Sequence, residues 1–448
     1  CKSPRIAITA LWGLYILKSK CQRWDWNRNG KVRTFWRNTK YFSACQHNVT
    51  WTFSGIMIFC YIRDGGNLVV MKCKIYSGQK ITDVAGYLKG YPDVFVVADR
   101  QVTSSAEQVV KALEEQKLEG TLPHPSNLLL LDVSEKNKSM STVLEICKWL
   151  MYNDAGRNAL LLAIGGGITT DMAGFAASIY KRGIRFAYVP TTFLSQVDAA
   201  IGGKTGVNFE NYKNILGVIR QPEFTYICPE VLGTLPYRDF LSGAAELLKT
   251  FIIDNAGNNY EKAVEVLSEI HESIDRKQAI ALRLAEIEEL AAAAARIKAG
   301  IVESDEFECG ERRKLNLGHT FAHAIESVSM SGRYGAESGI SHGEAVAMGM
   351  IMAAKASERH YNPAPENSLQ LENIAGQKDT EGESLSSRLI RDFSRCGLPT
   401  ECLFPPESLS GAMKKDKKAE NGIVHFVLIR AIGDVRIEDL PVESAVNL

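Results

Sequence analysis

Three histidines carry the clearest chemistry in this sequence. The chain has only eight, and His319, His323 and His342 fall within 24 residues of one another. His319 and His323 are four apart, a spacing that places both imidazoles on one face of a helix. Ser341-His342-Gly343-Glu344 opens the next helical pattern. Glu246 lies in the otherwise apolar stretch Gly243-Ala244-Ala245-Glu246-Leu247-Leu248-Lys249. A carboxylate buried on such a face needs a partner, which a divalent metal provides. Two imidazoles and one carboxylate, with a position left open, describe a catalytic metal site rather than a structural one. For a single His, a satisfied core residue is the better account; for this cluster it is the weaker one.

A second group of residues suits anions. Gly165-Gly166-Gly167-Ile168-Thr169-Thr170-Asp171 follows an apolar run directly. Glycines at a strand-to-helix turn let a pyrophosphate approach the backbone, and the helix N-terminus favours its charge. The spacing is not G-x-G-x-x-G, so from the glycines alone a tight turn without a ligand is an equal reading. Thr191-Thr192 lead into Asp198, then Gly202-Gly203-Lys204-Thr205 and Lys213-Asn214, where two lysines nine residues apart resemble an anion-binding loop. Farther on, Lys249, Lys298, Arg312 and the run Lys414-Lys415-Asp416-Lys417-Lys418 are cations suited to a substrate bearing phosphate and carboxylate. Arg312 and Asn316, four apart, face one way if helical. A lysine run by itself is more often a solvated loop.

These residues need elements to position them. Apolar runs of strand length occur at 93–98, 127–133, 159–164, 184–189 and 224–228, with helical patterns such as 105–116 and 141–152 between them. Such runs predict a mostly parallel sheet buried on both faces, with a nucleotide site at the strand C-termini. After about residue 236 the strands are expected to stop. Helices are expected at 240–253, 258–270, 277–299, 319–329 and 343–359, followed by a polar loop insertion over 361–384. The expected fold is an α/β N-terminal Rossmann-like nucleotide domain over 71–235 and an all-α C-terminal metal and substrate domain over 236–448, with a cleft between them.

Bulk composition narrows the function further. The 448 residues are 23% charged and 45% hydrophobic, with 52 Lys+Arg against 52 Asp+Glu. Zero net charge excludes an overall basic nucleic-acid binder, but it is a cancellation. Residues 1–66 hold eleven Lys/Arg against Asp25 and Asp64, and five of the six Trp. We expect an appended, non-homologous basic leader there, disordered or artefactual, with the functional chain starting near Met71. Its two apolar runs, 6–17 and 53–62, are well below the ~20 residues needed to span a bilayer. The remaining Cys are scattered without a C-x-x-C pair, which suits a reduced, cytoplasmic protein.

Taken together, 165–175, 189–217, 235–249, 298–326, 342–350 and the tail 416–433 resemble the 3-dehydroquinate synthase family of sugar-phosphate cyclases, from about Met71 onward. The resemblance implies a carbon–oxygen lyase of the shikimate pathway, leading to chorismate and the aromatic amino acids. It would cyclise 3-deoxy-D-arabino-heptulosonate 7-phosphate to 3-dehydroquinate and phosphate. NAD would take a hydride from C5, phosphate would leave by β-elimination, the hydride would return, and an intramolecular aldol would close the ring. The implied metal, Zn2+ or Co2+, is held by Glu246, His319 and His342, so His323 becomes a substrate-side group. For NAD the implied set is Asp99, Glu135, Lys138, Gly166, Gly167, Ile168, Thr169, Thr170, Asp171, Thr191, Thr192, Asp198, Lys204, Lys213 and Thr234. For the substrate it is Arg182, Lys204, Asn214, Lys249, Lys298, Arg312, Asn316, His323 and Lys417. The expected partners are a small sugar phosphate and a second copy of the chain, with no nucleic acid and no membrane. Another sugar-phosphate cyclase, or a metal-dependent polyol dehydrogenase, is the alternative.

Overall fold

The computed structural model describes residues 74–118, 127–210, 212–330, 339–361, 383–415, 423–442 and 445, together with short strands between Trp24 and Leu68. Contacts divide the chain into Cys1–Met71 and Lys72–Leu448. In the first unit Trp24–Trp26 pairs antiparallel with Val32–Thr34, and Val49–Thr50 with Tyr61–Asp64. The second unit carries the chemistry.

Its strands begin with β1 (Lys74–Ser77), β2 (Val94–Asp99), β3 (Asn127–Leu131), β4 (Leu160–Gly165) and β5 (Arg185–Pro190). An antiparallel hairpin of β6 (Lys204–Phe209) and β7 (Tyr212–Ile219) follows, then β8 (Phe224–Ile227). Six of these form one all-parallel sheet in the order β3-β2-β4-β5-β8-β1. All five apolar runs are therefore strands; β1, short and partly exposed, has too weak a pattern to be read. Apart from β1, the order is the doubly wound 2-1-3-4-5 rather than 3-2-1-4-5-6. The chain leaves β2 on one side for β3 and returns on the other for β4. The connections diverge there, opening a crevice at the C-terminal ends of β2 and β4. Asp99 ends β2, and the glycine turn follows β4.

Alternation along the strands assigns the two faces. Phe95, Val97, Leu161, Ala163 and Phe186 pack with α2 (Met140–Tyr152) and α3 (Gly167–Ile179), after α1 (Thr103–Leu118). Val96, Ala98, Leu160, Leu162 and Ile164 join a larger cluster that continues into the helical half. That half contains α4 (Tyr237–Ile253), α5 (Asn259–Glu272), α6 (Arg276–Leu282), α7 (Leu284–Ser304), α8 (His319–Met330) and α9 (His342–Tyr361), with α10 (Leu385–Arg395) and α11 (Pro406–Lys415) beyond. The two halves expected as separate domains thus share one core.

Two expectations are corrected. The single helix 277–299 is broken between α6 and α7 at Arg283, whose backbone (φ −109°, ψ 17°) leaves the helix while its side chain pairs with Glu269 and Glu286. The second half is also not all-α. Strands β9 (Ile423–Ala431) and β10 (Asp434–Pro441) form a closing hairpin, in which Val424, Phe426, Val427, Leu428 and Ile429 of β9 are buried while His425 and Arg430 are exposed. Phe426 meets Phe321 of α8 at 5.4 Å between ring centroids, and the Ile429 N–H donates to Ser357 of α9 at 2.8 Å. The hairpin thus braces both histidine-bearing helices. Most of the loop expected over 361–384 lies outside the described residues.

Candidate active site

Three helices deliver the metal-type cluster. Glu246 is fully buried within α4, while His319 and His342 are the first residues of α8 and α9. One donor atom from each comes within 4.8 Å of the others. Glu246 Oε1 lies 3.2 Å from His342 Nε2 and 3.5 Å from His319 Nε2. Local backbone makes this convergence possible. Gly318, in the left-handed region at φ +77°, turns the chain into α8 so that His319 leads the helix. Gly343 lets α9 cross α4, since a Cβ there would sit 2.2 Å from Ser242 Cα. A capping box starts α9: Ser341 N–H donates to Glu344 at 2.7 Å, and Glu344 N–H donates to Ser341 at 3.3 Å. Arg238 of α4 then grips Glu344 through two hydrogen bonds of 2.9 and 2.6 Å.

The polar atoms fit a cation. Both Glu246 carboxylate oxygens are buried without a well-directed hydrogen bond, although Lys249 and His342 stand within ion-pair range. The His319 Nδ1 faces the Leu317 carbonyl at 3.1 Å, so its Nε2 lone pair is directed at Glu246. His342 Nδ1 faces Glu326 Oε1 at 3.1 Å, the arrangement that orients a metal-binding imidazole. Burial presses the His319 imidazole down to about 3. Burial opposes charge on His342 too, but the neighbouring carboxylates of Glu246 and Glu326 outweigh this and raise it to about 10. Burial likewise resists ionisation of Glu246, yet Lys249 and the two histidines hold it well below the carboxylate range. His323, one helical turn from His319, is outside the cluster of three donors. Its ring stands 5.8 Å from that of His319, and its charge acts on Glu326.

Beside this cluster lies a buried charge network. Asp198, in the short turn Ser195–Ala199 after β5, accepts from Lys249 at 3.3 Å and Lys298 at 2.8 Å. Lys249 also reaches Glu246 at 2.5 Å. An unpaired buried ion costs several kcal/mol, so these contacts are what keep the lysines charged. Burial works against Lys249, but Asp198 and Glu246 raise its pKa. Lys298, pressed by burial despite Asp198 and repelled by Lys249, is lowered. Farther out, Glu308 accepts from Lys204 and, at 2.7 Å, from Asn316. Arg312 is buried and donates to the carbonyls of Glu306 at 2.6 Å and Gly202 at 2.9 Å. Residues 311–316 form a 3-10 helix, so the four-residue spacing of Arg312 and Asn316 does not align them. They are organised instead by Asp305, which accepts from the N–H groups of Cys309, Gly310 and Arg312 at 2.9, 2.6 and 3.1 Å.

The nucleotide-type crevice adjoins this network. Gly166 caps α3 and Gly167 begins it; a Cβ on Gly167 would lie 2.9 Å from Ala199, beside Asp198. Thr191 N–H donates to the Gly165 carbonyl at 2.9 Å, tying β5 to the turn. Thr169 is buried with an unpartnered hydroxyl, Thr170 donates to the Gly167 carbonyl, Thr192 pairs with Ser195, and Ile168 packs toward the apolar face. Lys138 is buried between Asp171 and Asn214, 2.5 Å from each. Asn214 therefore sits with the nucleotide-side groups. Glu135 accepts from Asn208 at 2.8 Å, and Asp99 accepts from Gln101 N–H at 3.0 Å. Lys213 lies near enough to act on Glu326. Thr234, exposed, ends the 3-10 helix after β8 and donates to Val231.

Two expected members are not placed here. Arg182 follows the far end of α3, whose 13 residues at a rise of ~1.5 Å carry it about 20 Å from the glycine turn. Lys417 lies outside the described residues. Conversely, Glu326, Glu308 and Asp305 were missed. Glu326 follows His323 by three residues, a spacing that could have drawn attention to it; the other two lie in a loop with no periodic signal.

A doubly wound sheet whose glycine turn abuts a two-histidine, one-carboxylate cluster on a helical body defines the architectural class. It is the fold of 2-epi-5-epi-valiolone synthase from Streptomyces hygroscopicus, solved with NAD+ and Zn2+ bound, at TM-score 0.67 and 24% identity over 85% of this chain and 97% of that one. An iron-containing alcohol dehydrogenase shares it at TM-score 0.52 and 15% identity, over 84% and 96% of the two chains. Family models then resolve the class: those of the 3-dehydroquinate synthase N-terminal and C-terminal parts match residues 128–242 and 243–381. The 3-dehydroquinate synthase of Pyrococcus abyssi is 38% identical over 70% of this chain and 82% of its own length. That of Rhizobium johnstonii is 33% identical over 82% and 89%. The chain belongs to the 3-dehydroquinate synthase family.

Proposed function

We propose that the chain converts 3-deoxy-D-arabino-heptulosonate 7-phosphate to 3-dehydroquinate and phosphate, as a lyase that uses NAD without net consumption. The observation that carries this reading is the convergence of Glu246, His319 and His342 beside buried cations whose acceptor Asp198 neighbours Ala199, itself packed against the glycine turn. Glu246, His319 and His342 would hold a divalent metal, Zn2+ or Co2+, which supplies Lewis-acid polarisation of a substrate oxygen. The crevice formed by Asp99, Gly166, Gly167, Thr191 and Lys138 would hold NAD, which supplies reversible hydride uptake. Lys249 and Lys298, fixed by Asp198, present positive charge to the substrate's hydroxyl and carboxylate oxygens. Lys204, Asn316 and Arg312 suit an anionic group, a reading supported by the Glu308 carboxylate that pairs with Lys204 and Asn316. His323, exposed one helical turn from His319, would move a proton on the substrate side. Arg182, at the far end of α3, would reach a substrate site from a second copy of the chain, which suits a homodimer.

The test mixes purified protein with NAD, Zn2+ and the heptulosonate phosphate. Phosphate release without accumulated NADH is expected. NADH formed in proportion to substrate would identify a polyol dehydrogenase instead. Glu246→Gln should abolish phosphate release and lower bound zinc, measured on the same preparation.

A further inference from the structure

We propose that Asp132 sets the choice between nicotinamide cofactors by engaging Arg100, a guanidinium that would otherwise receive a 2′-phosphate. The proposal rests on the reading of the crevice as a nicotinamide-dinucleotide site. In doubly wound folds an acid near the glycine strand meets the ribose hydroxyls of NAD, whereas an Arg nearby accommodates the 2′-phosphate of NADP. By sequence alone, Asp99-Arg100 offers both and is ambiguous.

The sheet resolves the ambiguity. β2 lies between β4, which carries the glycine turn, and β3. Parallel register pairs Leu131 of β3 with Asp99 of β2, so Arg100 and Asp132 emerge side by side at the same rim. Arg100 Nε donates to Asp132 Oδ1 at 2.6 Å, and a terminal nitrogen reaches Oδ2 at 3.5 Å. Planar guanidinium and carboxylate groups match in this two-pronged way. The two side chains are 55% and 73% exposed, so they lie at the surface of this rim rather than in the core. Their backbones are held as well: Asn137 donates to the Asp132 carbonyl at 2.9 Å and Thr103 to the Arg100 carbonyl at 2.7 Å. A 2′-phosphate arriving here meets two carboxylates, Asp99 and Asp132, and one guanidinium already matched. The ribose hydroxyls of NAD meet no such opposition.

Binding of NADH and NADPH to the full chain, followed by nucleotide fluorescence, tests this. The wild-type protein should favour NADH. Asp132→Asn should lower the ratio Kd(NADPH)/Kd(NADH) about fivefold, the scale of one exposed ion pair. Adding Arg100→Ala to Asp132→Asn should return the ratio to at least the wild-type value. An unchanged ratio in Asp132→Asn overturns the proposal, as does a fall that persists in the double variant. If the wild-type chain binds neither nucleotide, the reading of the crevice fails first, and that outcome is distinct from the other two.

Discussion

Glu326 illustrates how much of this site lies one residue beyond the chemistry. Its carboxylate receives His342 Nδ1 at 3.1 Å, while the opposite nitrogen of that ring faces Glu246. A carboxylate in this position selects the tautomer and aim of a metal-binding imidazole. Glu326→Gln is therefore expected to weaken zinc binding about 10- to 100-fold, measured by chelator competition, with secondary structure by circular dichroism unchanged. Equal zinc affinity in the variant would show that α9 alone aims the ring.

At the scale of elements, the approach of α9 to α4 sets the distance between His342 and Glu246. A methyl group at Gly343 would press on the Ser242 backbone, at 2.2 Å from Cα, where no flexible side chain can yield. Overpacking of this kind costs roughly 1–3 kcal/mol. Gly343→Ala should lower the urea midpoint accordingly and also reduce zinc affinity; a loss of zinc affinity greater than that of Glu326→Gln would show that helix separation matters more than ring aim.

The loop joining α7 to the 3-10 helix answers to pH. Slight burial resists ionisation of Asp305, but three backbone N–H groups and Arg312 hold its pKa below the ordinary value. A depressed carboxyl contributes stability that is present above its unfolded-state pKa of ~3.9 and is lost as pH falls through the folded value. The stability difference between wild type and Asp305→Asn should thus be constant at neutral pH and shrink below about pH 4, as read from urea unfolding at several pH values. Because the same loop places Arg312 and Asn316, the variant should also raise KM for the sugar phosphate at neutral pH more than it lowers kcat.

For the whole molecule, Lys72–Leu448 is a compact unit with a core running through both the sheet and the helices. We expect a chain beginning at Met71 to retain phosphate-releasing activity within about twofold of the full chain, measured side by side with NAD and Zn2+ saturating. Activity lost on truncation and not regained in the full chain's buffer would assign residues 1–66 a role in the enzyme. Among the described residues no helix is long and apolar enough to cross a membrane.

Much of this protein was legible before its structure. Periodicity is a local property, so the continuous apolar runs of β2, β4 and β5 and the helical patterns of α4, α8 and α9 announced themselves. The isolated carboxylate on α4 did too, because an acid amid Leu and Ala has no solvated alternative. Elements whose signal is short or mixed were missed: β1, the hairpin β9–β10 and the break at Arg283. The i, i+4 rule first favoured pairing His319 with His323; the family resemblance pointed instead to His342, and the crossing of α9 over α4 brings that residue, 23 positions from His319 in the chain, within reach of Glu246 and His319. The same holds for Asp132 beside Arg100, for Glu308 between Lys204 and Asn316, and for Arg182 at the far end of α3. Sequence determined which side chains were unusual in their local setting. Only the tertiary structure decided which of them meet, because ion pairs and ligand sets depend on distances of a few ångströms that strand register and helix crossings impose between remote segments.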